Sequence, residues 1–338
     1  MWVKEGTFKE EAARLGPMYQ RNLENMRQLG VFGTAISSII SALVRWSGLA
    51  ALVRHTIARN RVSILLYHDP AADVFERHLR FLTDRYNVIA LADLLEALGS
   101  EKWGDLPSRP LVVTFDDGHR GNADLLSLFR RYGVRPTIYV CSQIVGTRRH
   151  YWFLESPDPD RLKGLPNAQR LSVLGGTGFS VTREYREAQA LSVDEMERLI
   201  EAVDFGAHTR FHPVLTTCLD ADCETEIESA KTEIETVIGG ECVDFSYPNG
   251  DYGDRELALV RRAGYRSART IDVGWNTRWT DPFRLKILGT EDDASINRLA
   301  ADLTGITGYL ARAKAGSLNG RHPQVAKRGS RRGLLTPR

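Results

Sequence analysis

Residues 110–142 read PLVVTFDDGHRGNADLLSLFRRYGVRPTIYVCS. An apolar run of strand type, PLVVTF, ends at two adjacent carboxylates, Asp116 and Asp117, and a glycine. An amphipathic helical pattern, GNADLLSLFRRYG, follows and closes at Gly133 before the next strand-like run, PTIYVCS. The same alternation extends in both directions. Upstream, from Arg61, come RVSILLYH, DVFERHLRFLTDRY, NVIAL and LADLLEALG. Downstream, LSVDEMERLIEAV opens at Ser192 with Glu195 three residues on, the pattern of a capping box. DFGAHT, DADCETEIESAKTEIETVIGG, CVDFSYPNG, DRELALVRRAGY, SARTI and RLKIL complete the series. Repeated short strands separated by helices imply parallel strands with helices outside. The expected fold is α/β, a distorted (β/α) barrel of about seven strands, with function gathered at the C-terminal ends of the strands.

Three of those ends carry unusual residues. Adjacent like charges disfavour each other's ionisation, so Asp116 and Asp117 call for a group that holds them, most simply a cation. Neighbouring strand residues point to opposite sides, so the two carboxylates need not share one role. The second end, FGAHTRFHP, places His208 and His212 four residues apart, a spacing that sets both imidazoles on one side of a turn. Two histidines and one carboxylate form a set with open positions, as in catalytic metal sites. The third, FSYPNGDYG, is a turn signal by itself; at the rim of the same barrel it could aim a backbone N–H, that of Asn249, at a developing oxyanion.

In order, TFDDG, HTRFH with Pro213 and Leu215, and FSYPNG resemble the successive motifs of the polysaccharide deacetylases, carbohydrate esterase family four, with the nodulation-type chitooligosaccharide deacetylase domain. The resemblance runs from about Arg61 to Asp292, and ILLYH is similar to the opening strand of the bacterial branch. It implies a catalytic base at Asp116, which takes a proton from metal-bound water. It implies metal ligands at Asp117, His208 and His212, a divalent metal that is usually zinc, and an oxyanion contact from the backbone at Asn249. The implied partner is an acetylated polysaccharide or oligosaccharide. Two departures stand out. Many members carry an Arg in the third motif to support the base, and FSYPNG has none. The family's late histidine, in a Leu-x-His pattern, has Leu285-Lys286-Ile287 as its counterpart here, and no His occurs between His212 and His322. The leaving group's proton would then come from Asp116, His119 or His68, although His119 also reads as a plain surface residue. The departures keep two other readings open: a sugar-binding member that has lost catalysis, and a metal amidase acting on small cyclic amides.

The flanks read differently. Residues 1–60 are expected to form a helical extension, in which VFGTAISSIISALVRWSGLAALV, Val31 to Val53, is too interrupted by Ser, Thr and Arg45 for a good membrane span and suits a packed hairpin or an interfacial helix. The long, Glu-containing region ahead of it does not look like a signal peptide, which suggests the cytoplasm or the cytoplasmic face of a membrane. Residues 146–190 interrupt the barrel, 61–300, as an insertion whose Tyr151, Trp152 and Phe153 could stack on sugar rings or simply pack on the barrel. From Leu303 to Arg338 there are eight Lys/Arg and no acid; taking those eight from the formal +2 leaves −6 for the remainder. Residues 301–338 are expected to be a basic, solvated tail, and peripheral membrane contact could run through it or through 31–53. No nucleic-acid partner is expected. The four scattered cysteines are too few for a disulfide framework in 338 residues and read as ordinary thiols.

Overall fold

The computed structural model describes residues 38–156 and 158–310. Its centre is a closed ring of seven parallel strands: β1 (Ser63–Tyr67), β3 (Pro110–Phe115), β4 (Thr137–Val140), β5 (Asp204–Ala207), β6 (Asp244–Ser246), β7 (Ser267–Val273) and β8 (Leu285–Gly289). β1 pairs with β3 from Ser63↔Leu111 to Tyr67↔Phe115, and β8 closes the ring through Leu65↔Leu288 and Leu66↔Gly289. The two-residue β2 (Asn87–Val88) lies beside the start of β3. The barrel expected from the alternating pattern is therefore present, with helices around it.

The wall is apolar on both faces because side chains alternate across a strand. Ile64, Leu66, Val112, Tyr139, Leu285 and Ile287 form one buried cluster, which fills the barrel. Their neighbours Leu65, Tyr67, Val113 and Phe115 join the other cluster, under the helices, where Phe75 of the helix Ala72–Arg85 and Phe129 of the helix Leu126–Tyr132 meet Phe115 edge to face. Burying an aromatic side chain of this kind contributes roughly 1.5–3 kcal/mol. The capping box at Ser192 forms as expected: its hydroxyl accepts from the Glu195 N–H and the Glu195 carboxylate accepts from the Ser192 N–H. The stretch GNADLLSLFRRYG differs from its pattern, since Arg120–Leu125 is a tight 3-10 segment and regular helix begins only at Leu126. All four cysteines are buried and free.

In the N-terminal extension, residues 38–46 and Leu49–His55 are helical, with Ala50, Val53 and Ala58 buried and Ile39, Leu43 and Trp46 exposed. Residues 1–37, including the start of the Val31–Val53 stretch, lie outside the described residues. No described helix is long and apolar enough to cross a membrane. At the other end the packed chain runs past 300: Ala301 and Leu303 are buried and helical or turn structure continues to 310, while 311–338 lie outside the described residues. The insertion holds two short helices, Pro159–Lys163 and Asn167–Gly175, around a small core of Trp152, Leu162, Leu174, Phe179 and Val214.

Candidate metal and catalytic site

Val112, Thr114 and Asp116 continue one inward-facing row of β3 to its rim, where the Thr114 hydroxyl donates to the Leu65 carbonyl at 2.8 Å. Strict alternation would send Asp117 outward. Instead its backbone turns left-handed, with φ 69°, and brings the second carboxylate back to the rim. Gly118 completes the turn at φ 72°; a Cβ there would stand 2.6 Å from Val140 Cγ1, so only glycine fits.

The inward row of β5 ends at His208, whose Nδ1 lies 2.8 Å from the Ser246 carbonyl. A carbonyl only accepts, so Nδ1 carries the hydrogen and Nε2 is left as a ligand atom. His212 reaches the same place from a strained loop in which Thr209 (φ 66°) and His212 (φ 57°) are both left-handed. The Thr209 hydroxyl accepts the His212 N–H at 3.1 Å. Glu226, on the helix Asp220–Ile238, accepts the N–H groups of Arg210 and Phe211 at 2.8 and 3.0 Å.

Asp117 Oδ1 lies 3.5 Å from His208 Nε2 and 3.3 Å from His212 Nε2. Two ligand atoms held about 2.1 Å from one tetrahedral ion are about 3.4 Å apart, so the three atoms have the spacing of a shared coordination shell. Asp117 Oδ1 is buried and has no hydrogen-bond partner, which is costly for a carboxylate unless a cation takes it. Burial pushes His212 down to about 4, so its imidazole is neutral and able to ligate at physiological pH. Burial pushes Asp117 up, but His212, His119 and His208 outweigh it and hold the carboxyl below its usual range. The donor set of one carboxylate and two imidazoles fits a divalent transition metal.

Asp116 has a different partner. Its carboxylate is ion-paired with Arg269 of β7, a guanidinium only 1% exposed that also donates to the Ser246 hydroxyl at 2.6 Å. Burial would raise the Asp116 pKa; Arg269 counters it and holds the carboxyl below its ordinary value. FSYPNG holds no Arg, but Arg269 reaches Asp116 from the next strand, in register opposite Ser246 of that motif. Sequence reasoning missed it, although an Arg inside the short strand SARTI, on the row that faces the barrel, was the available signal.

The other expected residues divide. Asn249, left-handed at φ 57°, lines a cleft of about 320 Å³ with His68, Phe153, Lys163 and Ile271, over the ligand set and Asp116. His119 is neither a surface residue nor a wall of that cleft: its Nε2 sits 3.2 Å from Asp117 Oδ2 and its ring packs on Tyr151, behind the ligand. Leu285 and Ile287 are buried in the barrel filling, with Leu285 paired to Arg269, so the Leu-x-His counterpart offers no group at the rim. Tyr151 and Trp152 are buried, which removes them as sugar-stacking platforms.

Residues 104–268 match the family model described as polysaccharide deacetylase. A deacetylase from Streptococcus pyogenes, PplD, solved with acetate, aligns at 17% identity over 72% of this chain and 98% of that one, with a TM-score of 0.55. IcaB from Ammonifex degensii aligns at 15% over 72% and 97% (TM-score 0.53), and a de-N-acetylase from Aggregatibacter actinomycetemcomitans at 14% over 72% and 99% (TM-score 0.52). At these identities the likeness speaks for the fold. No curated protein matches the sequence. Residues 104–268, which hold β3 to the start of β7 and all three motifs, are thus similar to the polysaccharide deacetylases, hydrolases acting on amide or ester bonds of polysaccharides.

Proposed function

We propose that this chain is a metal-dependent deacetylase that removes acetyl groups, N- or O-linked, from a polysaccharide or oligosaccharide. The observation that carries the reading is the unpartnered, buried Oδ1 of Asp117 between two imidazole Nε2 atoms, beside a second carboxylate with its own counter-ion. Asp117, His208 and His212 would hold the ion, most simply zinc. When bound, the ion supplies a Lewis acid that polarises the acetyl carbonyl and acidifies water.

The chain's own groups do the rest. Asp116, kept ionised by Arg269, accepts the proton of the attacking water. The Asn249 backbone N–H, at the cleft wall, steadies the oxygen that gains charge as the carbonyl is attacked. His68, exposed at the end of β1, is the imidazole of the cleft lining outside the proposed ligand set; in its protonated form it gives a proton to the departing amine or alcohol, while Asp116 passes the water's proton to solvent, and His119 behind Asp117 is badly placed for that role. Phe153 and Ile271 give the cleft apolar surface for a sugar face or the acetyl methyl. The buried Arg269 also weighs against a binding protein that has lost catalysis, since it supplies the support that FSYPNG lacks. Asp116→Asn is expected to keep metal binding while acetate release falls by about 10²–10⁴-fold, the usual worth of a positioned proton acceptor. Unchanged acetate release by this variant would falsify the role given to Asp116.

The reading extends to place. From Asn25 to His68 the sequence has no acidic residue and five Arg, and the helical part of this stretch exposes Ile39, Leu43 and Trp46. Apolar side chains, an exposed Trp and cations on one segment suit the surface of an anionic bilayer. Leu43→Glu combined with Trp46→Glu should abolish co-sedimentation with vesicles containing phosphatidylserine, and sedimentation as strong as that of the unmodified protein would reject membrane contact through this segment.

A further inference from the structure

Two consecutive residues of the insertion reach the two turns that carry metal-ligating candidates. The hydroxyl of Tyr151, fully buried, donates to the carbonyl oxygen of Asp117 at 2.6 Å. The indole Nε1–H of Trp152, also buried, donates to the carbonyl oxygen of His212 at 2.7 Å. Both acceptors belong to left-handed, non-glycine residues, a conformation that persists only where its surroundings over-determine it. Phe153, next in sequence, sets its ring edge-on against the His212 imidazole with centroids 4.8 Å apart. The clamp is itself anchored to the first ligand turn. Gln189 accepts the Tyr151 N–H through its side chain at 2.8 Å and the Arg120 N–H through its carbonyl at 3.0 Å, and the Leu191 N–H donates to the Gly118 carbonyl at 3.0 Å.

We propose that Tyr151 and Trp152 are positioning residues for the metal centre, a two-residue clamp that sets the separation of Asp117 from His212. The inference rests on the reading of Asp117, His208 and His212 as ligands. The two turns leave different strands, β3 and β5, and β4 stands between them in the ring, so strand pairing alone does not fix their distance. Each donated hydrogen bond fixes the peptide plane that follows a ligand, and thereby the direction in which the ligand side chain leaves the backbone. The insertion is in this account part of the metal site's support. Groups that orient ligands from behind commonly change metal affinity about 10–100-fold when removed.

The test is metal affinity of the full chain, measured on metal-free protein by competition with a chromophoric chelator for zinc and by the visible spectrum of the cobalt form. Tyr151→Phe and Trp152→Phe each remove one donor and keep the ring in place. Each is expected to weaken zinc binding about 10–100-fold and to change the cobalt spectrum. Tyr185→Phe, which removes a buried hydroxyl of the same insertion that has no partner, is expected to change neither. Zinc affinity and cobalt spectra unchanged in Tyr151→Phe and Trp152→Phe would overturn the clamp while leaving the metal site standing. A weakening shared equally by Tyr185→Phe would also overturn it, because general loosening of the insertion would then be the cause. An unmodified protein that binds no zinc would overturn the metal reading, and the clamp with it.

Discussion

Two adjacent aspartates at a strand end acquire opposite surroundings within one residue. Asp116 stays in the inward row and meets Arg269, whereas Asp117 turns left-handed and offers a bare oxygen to two imidazoles. That His208 and His212 would face one way was legible from their spacing, and their meeting with the carboxylates from the shared rim of the barrel, but the left-handed turns at Asp117, Thr209 and His212 that bring the atoms together were not. Arg269 was not legible, because it lies 153 residues from Asp116 and only the β6–β7 register puts it opposite Ser246. His119 was misread for a similar reason, since its place two residues after Asp117 does not say which side of the turn it occupies. Removing Arg269 leaves Asp116 buried without its counter-ion. Arg269→Met is expected to destabilise the fold by about 3–5 kcal/mol in denaturant unfolding. The sign for activity follows from the depressed pKa: without Arg269 the carboxyl holds its proton to higher pH, so the acidic limb of the kcat/KM profile should move upward in pH. An acidic limb that stays in place would show that Arg269 does not tune the base.

At the level of elements, strands were the easiest to read. Each is a short apolar run bounded by Gly, Pro or a charged rim, and all the expected runs contribute to the sheet. The insertion had no such period, because its helices are short and its contacts run to the rim loops. The loop from His208 to His212 shows how an element holds a site it does not belong to. Glu226, from the helix Asp220–Ile238, accepts two consecutive backbone N–H groups of that loop. Burial raises the Glu226 pKa, and the two donated N–H groups of Arg210 and Phe211 favour the charged form. Glu226→Ala strands both N–H groups and should cost about 1–3 kcal/mol of stability, with Glu226→Gln recovering most of it because its amide oxygen can still accept. Equal stability of the Ala variant and the unmodified chain would mean that the loop keeps its shape without this helix.

Across the whole molecule, closure of the ring brings β3, β5, β6 and β7 to one rim, so residues from Asp116 to Ile271 share a single cleft. That closure was legible from the repeat of strand and helix, but the end of the packed chain was not: the residues after 300 pack by Ala301 and Leu303, too few apolar positions to stand out in a basic stretch. The site joins strands that are distant in sequence, so an ion held by Asp117, His208 and His212 also stabilises the barrel by mass action, through its preference for the folded state. Whether these three residues hold one divalent ion is read from the metal content of the purified full chain beside that of His208→Ala. About one zinc-like ion per chain is expected, lost in the variant. No bound metal after zinc addition, or equal metal in His208→Ala, would contradict that assignment.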